Sequence, residues 1–351
     1  MKTRHIYVAA ASLAGLVTGQ AKAADVVGYE PAPTAVTIET TDSIADVRIG
    51  AAYLNQDIVN GYGTVIDDAP FNFLGQAEDG RDLSRVGVEG GFDIWSSLSA
   101  SRSLYLGFNG VYTQGAEIDD GSLPTAGPVP FLDVLPITGA PSPGAIDSGF
   151  GTTYNVNASL EYKRFDGSIG YGLPQSYFGA DVAFGVFASY GGIDLNTTIN
   201  TQNGGFTFLH EDVDIGSVGP MVAARKSFDL SSNVEAFVEG QAAVVYAHGK
   251  LDAFQNASNF ANPLAVSDSS SDIAGVGQLR VGFNFIPAGG KSKLGIYGGV
   301  GVRNDTYEIV NPRSASGLVA NNPASYSPEA SHLEQTLQYS ASIGANLSIP
   351  F

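Results

Sequence analysis

Residues 337–351 read LQYSASIGANLSIPF and alternate in polarity. One series is Leu337, Tyr339, Ala341, Ile343, Ala345, Leu347, Ile349 and Phe351; the other is Gln338, Ser340, Ser342, Gly344, Asn346, Ser348 and Pro350. Successive side chains of a strand point to opposite faces, so one face here is apolar and the other polar or small. Nine more stretches carry a related alternation: 46–54, 85–95, 102–113, 153–163, 178–190, 217–228, 234–247, 273–286 and 294–305. The sixth is the weakest, interrupted by Pro220. Each is long enough to cross a bilayer at a tilt, which takes about 9–11 residues. The pattern predicts an all-β chain, a transmembrane antiparallel up-and-down β-barrel over 43–351, with ten strands preferred and eight or twelve as alternatives.

The connections sort by length. Short ones fall at 97–101, 165–177, 229–233 and 287–293, long ones at 55–84, 114–152, 191–216, 248–272 and 306–336. Short turns on one side and long loops on the other is the outer-membrane arrangement, with the short turns in the periplasm. A soluble sandwich has no reason to segregate its loops this way. Within 191–216, Asn203-Gly204-Gly205 is a hairpin-turn sequence, so the fifth and sixth strands are expected to continue above the membrane and turn there. The 114–152 connection is rich in proline, which forbids a central strand. Its apolar middle, 129–137, has two readings: a constriction folded into the barrel, or a segment packed on the outer rim.

Aromatic residues recur at both ends of the apolar faces. Tyr53, Tyr112, Tyr154, Tyr190, Tyr246 and Tyr339 fall at long-loop ends, and Tyr162, Phe178, Phe228, Phe285 and Phe351 at short-turn ends. Aromatic rings settle at headgroup level, one end apolar and the other wet. Two girdles a membrane apart are expected.

Composition narrows the picture further. Lys2, Arg4 and His5 precede an apolar run over 6–17 and the small-x-small site Ala21-Lys22-Ala23, which reads as a signal peptide over 1–23. The run is too short for a membrane helix. Residues 24–42, with Pro31 and Pro33, read as a periplasmic leader. There is no cysteine, so disulfides and thiolate metal sites are excluded. The net charge of −18 argues against nucleic acid as a partner.

Inward positions carry both signs of charge: Arg48, Arg85, Lys163, Arg225, Arg280 and Arg303 against Asp46, Glu89, Asp93, Glu161, Asp181, Glu235, Glu239 and Asp305. Such a set either tunes ion selectivity or fills a narrow lumen with ion pairs. Trp95, Tyr105, Phe187, Phe237 and Tyr297 share the inward parity. The long loops are acidic, with only Arg81, Lys250 and Arg313 to offset their carboxylates, and a mouth of one sign concentrates cations. His210, Asp212 and Asp214, with Asp119 and Asp120 on another loop, are the nearest approach to a catalytic arrangement, and their spacing is loose. Neither G-x-S-x-G nor H-E-x-x-H is present.

The closing strand with its terminal Phe351, and the alternation over most of 44–351, resemble bacterial outer-membrane β-barrels such as opacity-type surface proteins and porins. The resemblance implies export to the outer membrane, contact with its lipid and lipopolysaccharide, and Phe351 as part of the signal read by the barrel-assembly machinery. It implies no cofactor, metal or catalytic residue. Function is then expected to be porin-like, a cation-favouring passage for small hydrophilic solutes. The alternative is a non-conducting structural or surface-recognition barrel acting through its acidic loops.

Overall fold

The structure, a computed structural model, describes residues 43–60, 64–68, 72–76, 81–82, 84–99, 102–139, 145–173, 179–287, 291–312 and 329–351. The expected signal peptide, the leader and Phe178 lie outside the described residues. In chain order the strands are β1 (Ile44–Asn55), β2 (Asp57–Asn60), β3 (Thr64–Asp68), β4 (Asn72–Gln76), β5 (Arg81–Asp82), β6 (Arg85–Ser99), β7 (Arg102–Ser122), β8 (Pro130–Val134), β9 (Ala145–Ser148), β10 (Thr153–Gly172), β11 (Asp181–Thr201), β12 (Phe206–Ser231), β13 (Val234–Ala257), β14 (Leu264–Phe285), β15 (Lys293–Val310) and β16 (His332–Pro350).

Ten of these, β1, β6, β7 and β10 to β16, form a closed antiparallel barrel in which each strand has two neighbours. Through the apolar band each barrel strand therefore lies between two paired neighbours, which a hydrocarbon surrounding requires. The two ends of the barrel chain meet: β1 runs along β16 from Ile44↔Pro350 to Asn55↔Tyr339, and Phe351 N–H donates to the Ser43 carbonyl at 2.8 Å. Short strands above the barrel add β2 and β5 to the main sheet and build a separate four-stranded sheet, β4-β3-β8-β9.

The outward face is apolar in a band. Ile49, Val86, Val88, Phe184, Val244, Val281, Ile296, Val300 and Ile343 are all exposed, Ile343 at 71%. Tyr53, Tyr112, Tyr190, Tyr246 and Tyr339 stand exposed toward the long-loop side, and Phe228, Phe285 and Phe351 toward the other. A band of this extent is stable only against lipid.

Above that band the polarity of the wall inverts while its parity does not. In β10, Arg164 and Asp166 face inward and Phe165, Ile169 and Tyr171 outward. Higher in the same strand, Val156, Ala158, Leu160 and Tyr162 are buried inside and Asn157, Ser159 and Lys163 lie outside. The same switch occurs in β11, β12 and β13, where Ile193, Leu195, Val213, Ile215, Leu251 and Ala253 are buried within and Asp212, Asp214, Lys250 and Asp252 are exposed. The row Phe165↔Tyr190↔Gly216↔His248, taken from successive pairings, marks the height of the change. Below it, lipid is outside and a polar lumen inside. Above it, water is outside and a packed apolar core inside.

This inversion corrects several expectations. Tyr162 is 1% exposed and Tyr154 packs against the buried Val156–Ile199 cluster, so neither belongs to a girdle. Phe165 and Tyr171 hold the outward aromatic positions of β10. Glu161 and Lys163 are on the outer wall and do not line the lumen. The apolar alternation of 153–163 resembles a lipid-facing strand because an inward-facing apolar core produces the same period.

Several strands also outrun their expected limits. Residues 114–122 extend β7, 164–172 extend β10, and 248–257 with 264–272 extend β13 and β14. β13, with 24 residues, is about 80 Å long along its own axis, against an apolar band about 25 Å tall. The β11–β12 hairpin turns at 202–205, where Gly204 has φ +91° and relieves the left-handed position. Pro220 does not interrupt β12; it pairs with Val186 of β11, and the β13 pairing skips residues 219 and 220.

Candidate functional site

The lumen is crossed by two layers of ion pairs, and both follow from strand register. In the lower layer, Arg48 pairs with Asp93, and Arg225 with Asp46 and, at 3.8 Å, Glu239. Arg280 bridges Glu239 at 3.2 Å and Asp93 at 3.5 Å. Tyr105 donates to Asp93 at 2.8 Å, and Tyr297 donates to Glu89 at 3.2 Å. Nearer the short-turn end, Lys293 meets Glu235 at 2.5 Å, and Asn284 donates to the same carboxylate at 3.0 Å. Trp95, Tyr105, Phe187, Phe237 and Tyr297 are buried and fill the space between, with the Trp95 and Tyr105 rings 4.6 Å apart. A ten-stranded barrel is only slightly wider than one whose side chains fill it.

The upper layer joins β10 and β15. Arg164 reaches Asp305 at 2.5 Å and Asp166 at 3.4 Å; Arg303 reaches Asp166 at 2.9 Å and Asp305 at 2.8 Å. Ser217 donates to Asp305 at 2.6 Å, and Arg164 donates to Ser189 at 2.9 Å. Buried charges persist where partners and hydrogen bonds compensate their desolvation, and here each arginine faces two carboxylates.

Above this layer the polar path narrows to amides. Gln338 donates to Gln56 at 2.8 Å and contacts the Tyr162 hydroxyl, and Gln56 donates to the Tyr307 carbonyl at 3.0 Å. Higher still, the 129–137 segment enters the mouth. Leu132 and Val134 pack with Leu123, Ile146 and Ile199, and Ile137 packs with Leu54, Ile58 and Ile309. The buried Gln255 side chain accepts from Ile137 N–H at 3.0 Å and donates to the Leu135 carbonyl at 3.1 Å, as a strand neighbour would. Ser331 N–H donates to the Ile137 carbonyl at 2.8 Å, and Asn311 donates to Glu211 at 2.8 Å. Of the two readings of this segment, the inward one holds, at the mouth above the apolar band.

Of the remaining residues expected in the lumen, Arg48, Glu89, Asp93, Arg225, Glu235, Glu239, Arg303 and Asp305 are buried within it, and Arg280 is half-buried there. Arg85 lies at the upper end of β6 against Gly115. Asp181 is exposed at the short-turn end of β11 and joins neither layer. Arg164 and Asp166 lie beyond residue 163, where the expected fourth strand ends, because β10 continues to Gly172. Continued alternation, Arg164 and Asp166 against Phe165, Ile169 and Tyr171, was the available signal.

On the outer wall above the membrane, Glu161, Asp194, Asp212 and Asp252 stand opposite one another on four successive strands. Like charges so placed destabilise a sheet. Burial, with the Asp214 and Asp194 carboxylates beside it, pushes the Asp212 carboxyl up. Lys250 offsets part of this at one end, 2.5 Å from Asp252. His210 contacts Asn196 at 2.9 Å on this outer face, and β10 and β11 separate it from Asp119 and Asp120. Asp120 instead accepts from Asn155 at 2.7 Å. The loose catalytic arrangement considered from sequence is therefore not brought together.

No family model and no curated protein matches the chain. Among solved structures it is similar to the outer membrane protease OmpT from Escherichia coli, at 10% identity over 89% of this chain and 98% of that one, TM-score 0.42. It is also similar to the toluene transporter TodX from Pseudomonas putida, at 8% identity over 89% and 90%, TM-score 0.30. An anion-selective porin from Comamonas acidovorans matches at 11% identity over 87% and 100%, TM-score 0.17. The chain is an outer-membrane-type β-barrel. Its own closed sheet and apolar band carry that statement, and likenesses at these scores add no argument to it.

Proposed function

We propose that this chain is a barrel of the Gram-negative outer membrane that is closed to free solute passage in its resting conformation and works through its extracellular part. One observation carries the reading: the lumen is crossed by two ion-pair layers and roofed by an apolar plug held on Gln255. Opening a path through either layer means separating buried charges, and breaking one such pair costs about 3–5 kcal/mol. The extracellular wall offers a rigid, polar, acidic surface raised well clear of the bilayer. We assign the chain no catalytic role. Export by the 1–23 segment and handling of Phe351 by the barrel-assembly machinery belong to the same proposal.

A second reading keeps a conducting state. The plug is anchored by few polar contacts, and a cavity of about 50 Å³ lies between the ion-pair layers. A displaced plug would leave the acidic mouth to favour cations. Liposome swelling separates the two. The folded protein is reconstituted and challenged with arabinose and with larger sugars. The closed reading expects the swelling rate of protein-free vesicles. Rapid arabinose entry would replace it with the porin-like one.

A further inference from the structure

The cavity of about 50 Å³ between the ion-pair layers has walls that the barrel's own contacts do not satisfy. Arg164 is buried, and its Nη1 has no hydrogen-bond partner among the described residues, although its Nε and Nη2 each have one. Asn109 Oδ1 is likewise buried and without a partner. Glu89 is buried and accepts from Tyr297, yet among the described residues it makes no ion pair, unlike Asp46, Asp93, Asp166, Glu235, Glu239 and Asp305. Arg164, Asn109 and Glu89 all line this one cavity, as does Arg280.

The cavity therefore presents a positively charged donor and an amide oxygen without partners, and a carboxylate without a cationic partner among the described residues. A lone anion would satisfy Arg164 and oppose Glu89. A lone cation would do the reverse. By the measure in which one water needs about 10–15 Å³, the cavity accommodates roughly three to five non-hydrogen atoms. We infer that it is a binding site for a small zwitterion, a free amino acid of the size of glycine, with its carboxylate on Arg164 and its ammonium toward Glu89 and Asn109. The inference does not depend on whether the barrel conducts.

The test is binding to the whole folded chain. Protein is folded in detergent with radiolabelled glycine and assayed by equilibrium dialysis, with acetate and methylammonium as separate probes. The expected result is saturable glycine binding, with each half-ligand weaker by roughly ten- to a hundredfold, the worth of one hydrogen bond to a charged group. Ala52 lines the cavity without joining the ion pairs, so Ala52→Leu fills the space and should abolish binding while leaving the barrel resistant to unfolding in cold detergent. Glu89→Gln should weaken glycine and strengthen acetate relative to it, a reversal that a purely structural role would not give. If Ala52→Leu does not fold, that reversal carries the test. No saturable glycine binding by the folded wild type would mean water alone occupies the site and would overturn the proposal. So would acetate binding as tightly as glycine, or glycine binding untouched in both variants.

Discussion

Asp305 is the residue on which the upper ion-pair layer depends most. It is 0% exposed and accepts from Arg303 at 2.8 and 3.0 Å, from Arg164 at 2.5 Å and from Ser217 at 2.6 Å. Asp305→Asn keeps the shape and removes the charge, leaving Asp166 as the one carboxylate between two buried guanidinium groups. Removing one member of a buried pair costs about 3–5 kcal/mol. The lower figure applies here, because Asp166 still reaches both arginines and the amide oxygen still accepts one bond. Adding Arg164→Met should recover part of the loss, since Arg303 and Asp166 are then matched one to one. The coupling between the two sites should lie at about 1–3 kcal/mol. The assay is equilibrium unfolding in denaturant from lipid vesicles. Trp95, the single tryptophan of the chain, is buried at the other end of the lumen and reports global rather than local loss. A single-variant cost below about 1 kcal/mol, or strict additivity in the double variant, would refute the argument that this layer is a coupled buried network.

Other consequences follow from the same geometry. Labels at Phe165, Lys163 and Tyr162 should be quenched by lipid-borne, aqueous and neither quencher respectively, because the three sit on the band, on the outer wall above it and inside; a lipid-quenched Tyr162 would return the strand to its expected parity. Asp212→Asn should stabilise the barrel by about 0.2–1 kcal/mol, the range for cross-strand pairs, and less at high salt. The pH sign is fixed by the raised carboxyl of Asp212: the folded state binds the proton more readily, so this group's contribution improves as pH falls through its folded value. Denaturation midpoints that move the same way in wild type and Asp212→Asn would contradict this. Phe351→Asp should impair membrane insertion more than Phe206→Asp, measured as heat-modifiable gel mobility, since Phe351 closes the β1–β16 seam at the lipid surface and Phe206 lies in the extracellular hairpin; equal effects would remove any special role for the chain end.

The ten barrel strands and their order were legible because lipid imposes an apolar/polar period of two on every crossing, and that period survives in β16 and β1 residue by residue. What misled was the upper wall. Tyr154, Val156, Leu160 and Tyr162 show the same period for the opposite reason, a water-facing wall around an apolar core. Periodicity reports that two faces differ, not which of them faces lipid. The break at Arg164 and Asp166, where charge appears on the parity that was apolar above, was the one local sign of the switch. Partnerships such as Gln255 with the 135–137 backbone were not legible, because they join positions 118 and 120 residues apart through loops whose length places no limit on where they fold.

Planar-bilayer recording of the purified, folded barrel tests the closed lumen most directly. The ion-pair layers and the Gln255-anchored plug predict a membrane that stays at baseline across applied voltage, with discrete openings appearing only when residues 129–137 are deleted and the ion-pair layers are broken as well. Stable, stepwise conductance from the unaltered protein, persisting with the plug covalently tethered to the wall through cysteines placed at Ile137 and Gln255, would contradict it.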